Sequence, residues 1–133
     1  LPPSTLDREK ISIALANLIE NAIKYNVEGG EVRIEIEQVR TKPYLKISVR
    51  DTGIGISSEA QGRLFKKFFR GENAKRLEPS GTGLGLYITK NIVRRHGGTL
   101  AVESSERRGS TFSFTIPTKA ALLPAKEIAY EEE

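Results

Sequence analysis

Asn17, Asn21 and Lys24 stand at i, i+4 and i+7, a spacing that puts all three on one face of a helix. Such a face is commonly just solvated. Asparagine, however, is a poor interior helix residue, and two of them one turn apart ask for a further reason. An amide oxygen is a hard donor suited to Mg²⁺, an ion that keeps several waters and binds mostly through phosphates. An ammonium group one turn along suits the phosphates themselves. Two glycine clusters extend the theme, Asp51-Thr52-Gly53-Ile54-Gly55 and Gly81-Thr82-Gly83-Leu84-Gly85. Glycines at alternate positions let the backbone take φ > 0 and approach a ligand closely. The second cluster opens a stretch of helical period from Leu84 to His96, and a helix beginning there offers unpaired N–H groups to phosphate. Asp51 serves either turn chemistry or acceptance of a hydrogen bond from an exocyclic amine, as on adenine. Tyr25 borders the asparagine face and suits a base stack or core packing equally. The combination points to a bound nucleotide.

The elements that must hold these residues are readable from period and punctuation. Asp7 or Thr5 caps a long helix running to about Asn26, with Ile11, Leu15, Leu18, Ile19, Ala22 and Ile23 as its apolar stripe. Val32, Ile34 and Ile36 alternate with charged residues and pair as a hairpin with the strand Tyr44–Arg50. Ser57 or Ser58 caps a second helix through about Phe69. Residues 71–80 have no apolar period and read as a mobile loop. A third helix, roughly 83–96, stops at Gly97-Gly98. Leu100-Ala101-Val102 and the run Thr111 to Ile116 make a second hairpin around Arg107-Arg108-Gly109. Leu1-Pro2-Pro3 reads as an extended lead-in or a cut-off strand, and residues 118–133 as a loosely held tail. Helices and antiparallel hairpins without βαβ alternation predict an α+β sandwich with its helices on one face of the sheet.

Composition narrows the function classes. At 133 residues the chain makes one domain with a real core. It has no cysteine and one histidine, which removes disulfides, thiolate chemistry and a zinc donor set. No apolar run approaches the roughly 18 residues that span a bilayer. The absence of any methionine reads as a fragment of something longer. The net charge of +4 is interspersed. Near the densest basic stretch, Lys66 to Arg76, only Phe65, Phe68 and Phe69 offer rings, at packing rather than stacking spacing, so nucleic acid is not expected as a partner.

The glycine cluster at 81–85 is neither Gly-x-Gly-x-x-Gly nor a P-loop, and the eukaryotic kinase motifs are missing. From Asp7 to Pro117 the chain instead resembles the ATP-binding domain of sensor histidine kinases, within the family shared with type II topoisomerases, Hsp90 and MutL. Asn17-Leu-Ile-Glu-Asn21-Ala-Ile-Lys24-Tyr25 looks like the N box, and Asp51-Thr-Gly53-Ile-Gly55 like the G1 box. Leu64-Phe65-Lys-Lys-Phe68-Phe69-Arg70 looks like the F box, and Gly81-Thr-Gly83-Leu-Gly85-Leu86 like the G2 box. Gly97-Gly98-Thr99 with Gly109-Ser110-Thr111-Phe112 is similar to the closing stretch of the pattern.

The resemblance implies a Bergerat-type two-layer sandwich over residues 1–117, with a mixed, mostly antiparallel sheet and about three helices on one face. The cofactors it implies are ATP and Mg²⁺. Asn21 would ligate the metal with Asn17 assisting, Lys24 would contact phosphate, and Tyr25 would lie against the adenine. Asp51 would accept the adenine amine, with Gly53, Gly55 and Ile56 around the base and Thr111 nearby. Residues about 70–82 would form a lid anchored by Phe65 and Phe68 and hinged at Gly81 and Gly83. Backbone N–H groups from Gly83 through Leu84, Gly85 and Leu86 would hold the phosphates, with Thr82 among the nucleotide-binding positions, and Arg70 would reach the terminal phosphate. ATP-hydrolysing relatives are expected to carry a glutamate base one turn before the metal asparagine. Here that position is Asn17 and Glu20 is turned about 100° from Asn21, which favours a kinase over an ATPase. His96 reads as a helix-end residue rather than a phosphorylation site. The implied partners are a histidine-bearing dimerisation domain and a response regulator, with no direct membrane contact for this stretch. The stretch itself would be a monomeric cytoplasmic unit of a homodimeric parent, whether or not that parent is anchored in an inner membrane. A serine kinase of the anti-sigma-factor type and a nucleotide-binding module without turnover are the alternatives.

Overall fold

Alternating apolar residues make strands, and four such runs build the sheet of this computed structural model, which describes residues 7–78 and 80–118. Strand β1 (Val32–Gln38) pairs with β2 (Tyr44–Asp51), and β3 (Leu100–Ser105) pairs with β4 (Gly109–Pro117). The two hairpins join through β2 and β4, with Ile47 opposite Phe114 and Asp51 opposite Ser110. The order is β1-β2-β4-β3 and every pairing among the described residues is antiparallel.

Side-chain alternation fixes which face is the core. Ile47 and Val49 of β2 share a face with Phe112, Phe114 and Ile116 of β4, and all five are buried. Helices α1 (Arg8–Lys24) and α4 (Gly85–Arg95) cover that face. α1 contributes Leu18 and Ala22 to the core and α4 contributes Val93. On the other face Arg33, Arg50 and Glu103 meet solvent. The α+β sandwich with helices on one face is therefore the observed architecture. α1 begins where the sequence places it, since the Asp7 carboxylate accepts from the Lys10 N–H, and ends at Lys24 rather than Asn26. Leu1-Pro2-Pro3, Thr5 and the tail from 119 lie outside the described residues.

Two expectations are corrected. The helix expected from Ser57 to Phe69 is one turn only, α2 (Ser58–Gln61), capped by the Ser57 hydroxyl on the Ala60 N–H. Gly62 follows, and the chain continues in short turns because Phe68 is drawn elsewhere. The Phe68 N–H donates to the Gly83 carbonyl at 2.9 Å, and Phe68 takes φ 66 to do so. The loop expected over 71–80 contains a helix, α3 (Glu72–Leu77). It is held from outside, since the Arg70 guanidinium donates to the carbonyls of Ala74 and Glu78. Among the described residues Phe114 is the largest fully buried side chain. Phe114→Ala should lower the unfolding free energy by about 3–5 kcal/mol in urea titrations; a loss under about 1 kcal/mol would contradict the core assigned here.

Candidate functional site

A cavity of about 810 Å³ opens between the C-terminal half of α1, the end of β2, the start of α4 and the α3 segment. That volume lies within the roughly 300–1,000 Å³ of small-molecule sites. Asn17, Asn21 and Lys24 form one wall together with Tyr25 and Glu20. Glu20 is a correction to the helical reading. Three residues after Asn17 it falls about 60° from it around the axis, so it belongs to the same face.

The floor follows from strand parity. Leu45, Ile47 and Val49 carry the apolar register of β2, and Asp51 is its next position, so the strand delivers a carboxylate to the core face. Its Oδ1 accepts the Gly53 N–H at 2.8 Å and the Ser110 N–H at 3.2 Å. Its Oδ2 has no protein partner among the described residues, although Asp51 is 9% exposed and lines the cavity. Burial pushes the carboxyl above its ordinary pKa, and the two N–H bonds pull part of the way back.

Apolar walls come from Ile56, Leu64, Leu86, Ile88 and Phe112. Phe65 supports them from behind, edge-on to Phe112 with ring centroids 6.4 Å apart. α4 starts at the cavity with no side-chain cap on Leu84, and Ile88 makes the first backbone bond of its ladder, to Leu84. The N–H groups of Gly85 and Leu86 thus have no backbone partner among the described residues, and both residues line the cavity. This is the donor arrangement that suits an anion.

Fourteen of the expected site positions reach the wall: Asn17, Asn21, Lys24, Tyr25, Asp51, Gly55, Ile56, Arg70 and the run from Gly81 to Leu86. Gly53 and Thr111 do not. Gly53 packs on the Tyr25 carbonyl, which a Cβ there would overlap. Gly55, at φ 71, sits equally close to the Ser105 carbonyl. Both glycines thus let chain segments approach one another, and of the two only Gly55 also lines the cavity. Thr111 points to the opposite face of β4, where its hydroxyl accepts from Arg50 Nε at 3.2 Å. Ser110 takes the place expected of it: it faces Asp51 and bonds the Ser104 hydroxyl at 2.7 Å. The alternation of Phe112, Phe114 and Ile116 already carried that signal.

Arg70 is differently placed as well. Its Nη2 donates to the Tyr25 hydroxyl at 3.1 Å and to the carbonyls of Ala74 in α3 and of Glu78 just after it, and the guanidinium fills the space beside Gly81. The side chain of Phe68 is 64% exposed, so Phe68 anchors the loop through its backbone at Gly83. Tyr25 is the C-cap of α1, and its carbonyl accepts the Ile54 N–H, which ties the α1 wall to the Asp51 loop.

A model of one protein family, the histidine kinase-, DNA gyrase B- and HSP90-like ATPases, matches residues 6–120. The chain belongs to that family. It is 42% identical over 114 residues to the sensor histidine kinase WalK of Bacillus subtilis, a match covering 86% of this chain and 19% of the relative. It is also 42% identical over 111 residues to the sensor-like histidine kinase SenX3 of Mycobacterium tuberculosis, covering 84% of this chain and 27% of that one. The chain thus spans well under a third of these relatives' lengths. Among solved structures, the nucleotide-free catalytic domain of histidine kinase ThkA superposes with TM-score 0.73 at 33% identity, covering 88% of this chain and 72% of that one. Full-length ShkA in complex with AMPPNP gives TM-score 0.68 at 29% identity, covering 86% of this chain and 23% of that one.

In this ATPase-family domain the residues present fit a magnesium nucleotide. Asp51 Oδ2 is an unpartnered acceptor, the α4 terminus has unpaired donors, and the Asn21 amide is a hard donor on the facing wall. Among the described residues no cluster of three acidic, histidine or cysteine side chains is arranged to hold a metal alone, so a cation would depend on phosphate and water ligands. The raised Asp51 pKa also has a sign that can be tested. A carboxyl raised by folding contributes stability below its ordinary pKa and loses that contribution as pH rises through the raised value. Asp51→Asn keeps an acceptor for both N–H groups without the buried charge. Its melting temperature should therefore match the wild type in acid and exceed it at neutral pH; a variant less stable at neutral pH would contradict the burial argument.

Proposed function

We propose that this domain binds Mg²⁺·ATP in the cavity and transfers the γ-phosphoryl group to a histidine on a separate dimerisation domain, from which a response regulator takes it. The observation that carries the reading is the state of His96, the one histidine in the chain. It is 9% exposed, Nδ1 bonds the Ile92 carbonyl at 2.8 Å, and Nε2 accepts the Asp7 N–H at 3.1 Å. Both ring nitrogens are engaged and His96 is not on the cavity wall, which supports a histidine acceptor that arrives from elsewhere. That agrees with relatives named sensor histidine kinases.

The chain's own residues divide the work. Asp51 Oδ2 accepts from the exocyclic amine of the base, with Ser110 beside it. Ile56, Leu64 and Leu86 exclude water from the base. The Gly85 and Leu86 N–H groups and Lys24 meet the phosphates, and the Asn21 amide oxygen is the protein ligand for the ion. Magnesium, when bound, supplies charge neutralisation across the phosphates. Phosphoryl transfer depends mainly on positioning and charge, so a side-chain nucleophile brought in line with the γ-phosphorus needs no water-activating base. The domain would work in the cytoplasm. Among its described residues no helix is long and apolar enough to cross a membrane.

Glu20 supports a second reading. A carboxylate on the cavity wall beside Asn21 is a candidate to activate water, so slow ATP hydrolysis is expected alongside transfer if Glu20 reaches the terminal phosphate. Mixing the protein with radiolabelled ATP and a separately supplied histidine-bearing helical domain tests the proposal. The label should appear on that domain as an acid-labile, base-stable linkage. An acid-stable label would indicate a serine acceptor, and release of phosphate without any labelled protein would leave only the hydrolytic reading.

A further inference from the structure

The Asn17 side chain does not simply face the cavity. Its Nδ2 donates to the Gly85 carbonyl at 3.3 Å and to the Thr89 hydroxyl at 3.2 Å. The Thr89 hydroxyl in turn donates to the same Gly85 carbonyl at 2.8 Å. These three groups close a triangle between α1 and the first turn of α4, with Thr89 fully buried inside it. The triangle fixes the amide's orientation. Turned the other way, Oδ1 would face a carbonyl oxygen, whereas in the observed sense Oδ1 is left without a protein partner among the described residues. A Cβ built at Gly85 would lie 4.0 Å from Asn17 Cγ, in ordinary contact, so the seam is close without depending on that glycine.

Gly85 is also the first residue of α4, whose N–H groups at Gly85 and Leu86 are the unpaired donors facing the cavity. Nothing in the Leu84 side chain caps that terminus, and the Thr82 hydroxyl takes only the Leu84 N–H at 3.3 Å. The preceding segment is tied one step earlier, where the Gly83 carbonyl accepts the Phe68 N–H at 2.9 Å. The first carbonyl of α4 itself is gripped by Asn17 and Thr89.

We propose that Asn17 and Thr89 together are positioning residues that hold the N-terminus of α4 at the place where it receives the phosphates. This rests on the Mg²⁺·ATP reading and assigns Asn17 a different part from that of an auxiliary metal ligand. Thr89 acts only through Asn17 and Gly85. Its effect is confined to the phosphate end of the ligand, because the base is held by Asp51 and Ser110 on the sheet.

Calorimetric titration of ADP and adenosine, each with Mg²⁺ present, separates the possibilities. Thr89→Val removes the hydroxyl at nearly constant shape. It should weaken ADP binding about tenfold and leave adenosine unchanged, with a broken buried hydrogen bond of ordinary strength as the cause. Asn17→Ala should do the same, and the double variant should lose no more than the larger single loss, because both act on one triangle. Thr89→Ser keeps the hydroxyl and should restore wild-type ADP affinity, which also controls for misfolding. If Thr89→Val binds ADP as the wild type does while Asn17→Ala does not, Asn17 acts on the ligand directly and the inference fails. Equal weakening for adenosine and ADP would mean a general packing defect and would also overturn it. A wild-type protein that binds neither ligand refutes the nucleotide reading itself, a result distinct from either failure.

Discussion

A single carboxylate at the end of an apolar strand register organises this domain. Asp51 continues the core-facing sequence of Ile47 and Val49, so folding the sheet places it under the helical layer. Leaving a buried carboxylate unpaired costs several kcal/mol, and the local backbone is shaped to limit that cost. Gly53 and Ser110 bring N–H groups to one oxygen. The tight loop needed to do so packs Gly53 on Tyr25 and Gly55 on Ser105. The other oxygen remains open to the cavity. The fold thus tolerates a strained electrostatic arrangement at the one place where a ligand donor would complete it.

The remaining elements are arranged around that point. Tyr25 links α1 to the Asp51 loop through its carbonyl and to Arg70 through its hydroxyl. Arg70 holds α3 over the cavity, and Phe68 fastens the same segment to Gly83. Asn73 reaches the Glu106 carboxylate at 3.4 Å, joining α3 to the β3–β4 turn. The α1–α4 seam sets the far end, through Asn17 and Thr89. Three walls are therefore positioned by polar contacts at their rims, while the core beneath them is apolar and closely packed.

Much of this was legible in the sequence for identifiable reasons. The four-residue spacing of Asn17 and Asn21 defines a helix face whatever the tertiary context, and the parity of β2 carries Asp51 to the core face. Glu20 and Ser110 were legible too, since i+3 spacing and the Phe112, Phe114, Ile116 alternation place them beside the residues that were recognised. Thr111 was assigned by its motif instead of its parity, and its side chain lies on the other face. What could not be read was long-range. The turn at Phe68 exists because Gly83 accepts its N–H, and α3 exists because Arg70 grips its carbonyls. Neither leaves a periodic trace. Gly53 looked like a ligand contact because a glycine reports close approach without saying of what.

Asp51 is proposed to select an amine-bearing base, and the affinities for ATP and inosine triphosphate, which differ at the base's six-position in presenting a donor or an acceptor, measure that selection. ATP should bind at least about tenfold more tightly, because the inosine carbonyl would face Asp51 Oδ2 without a proton between them. Equal affinities would overturn the role proposed for Asp51.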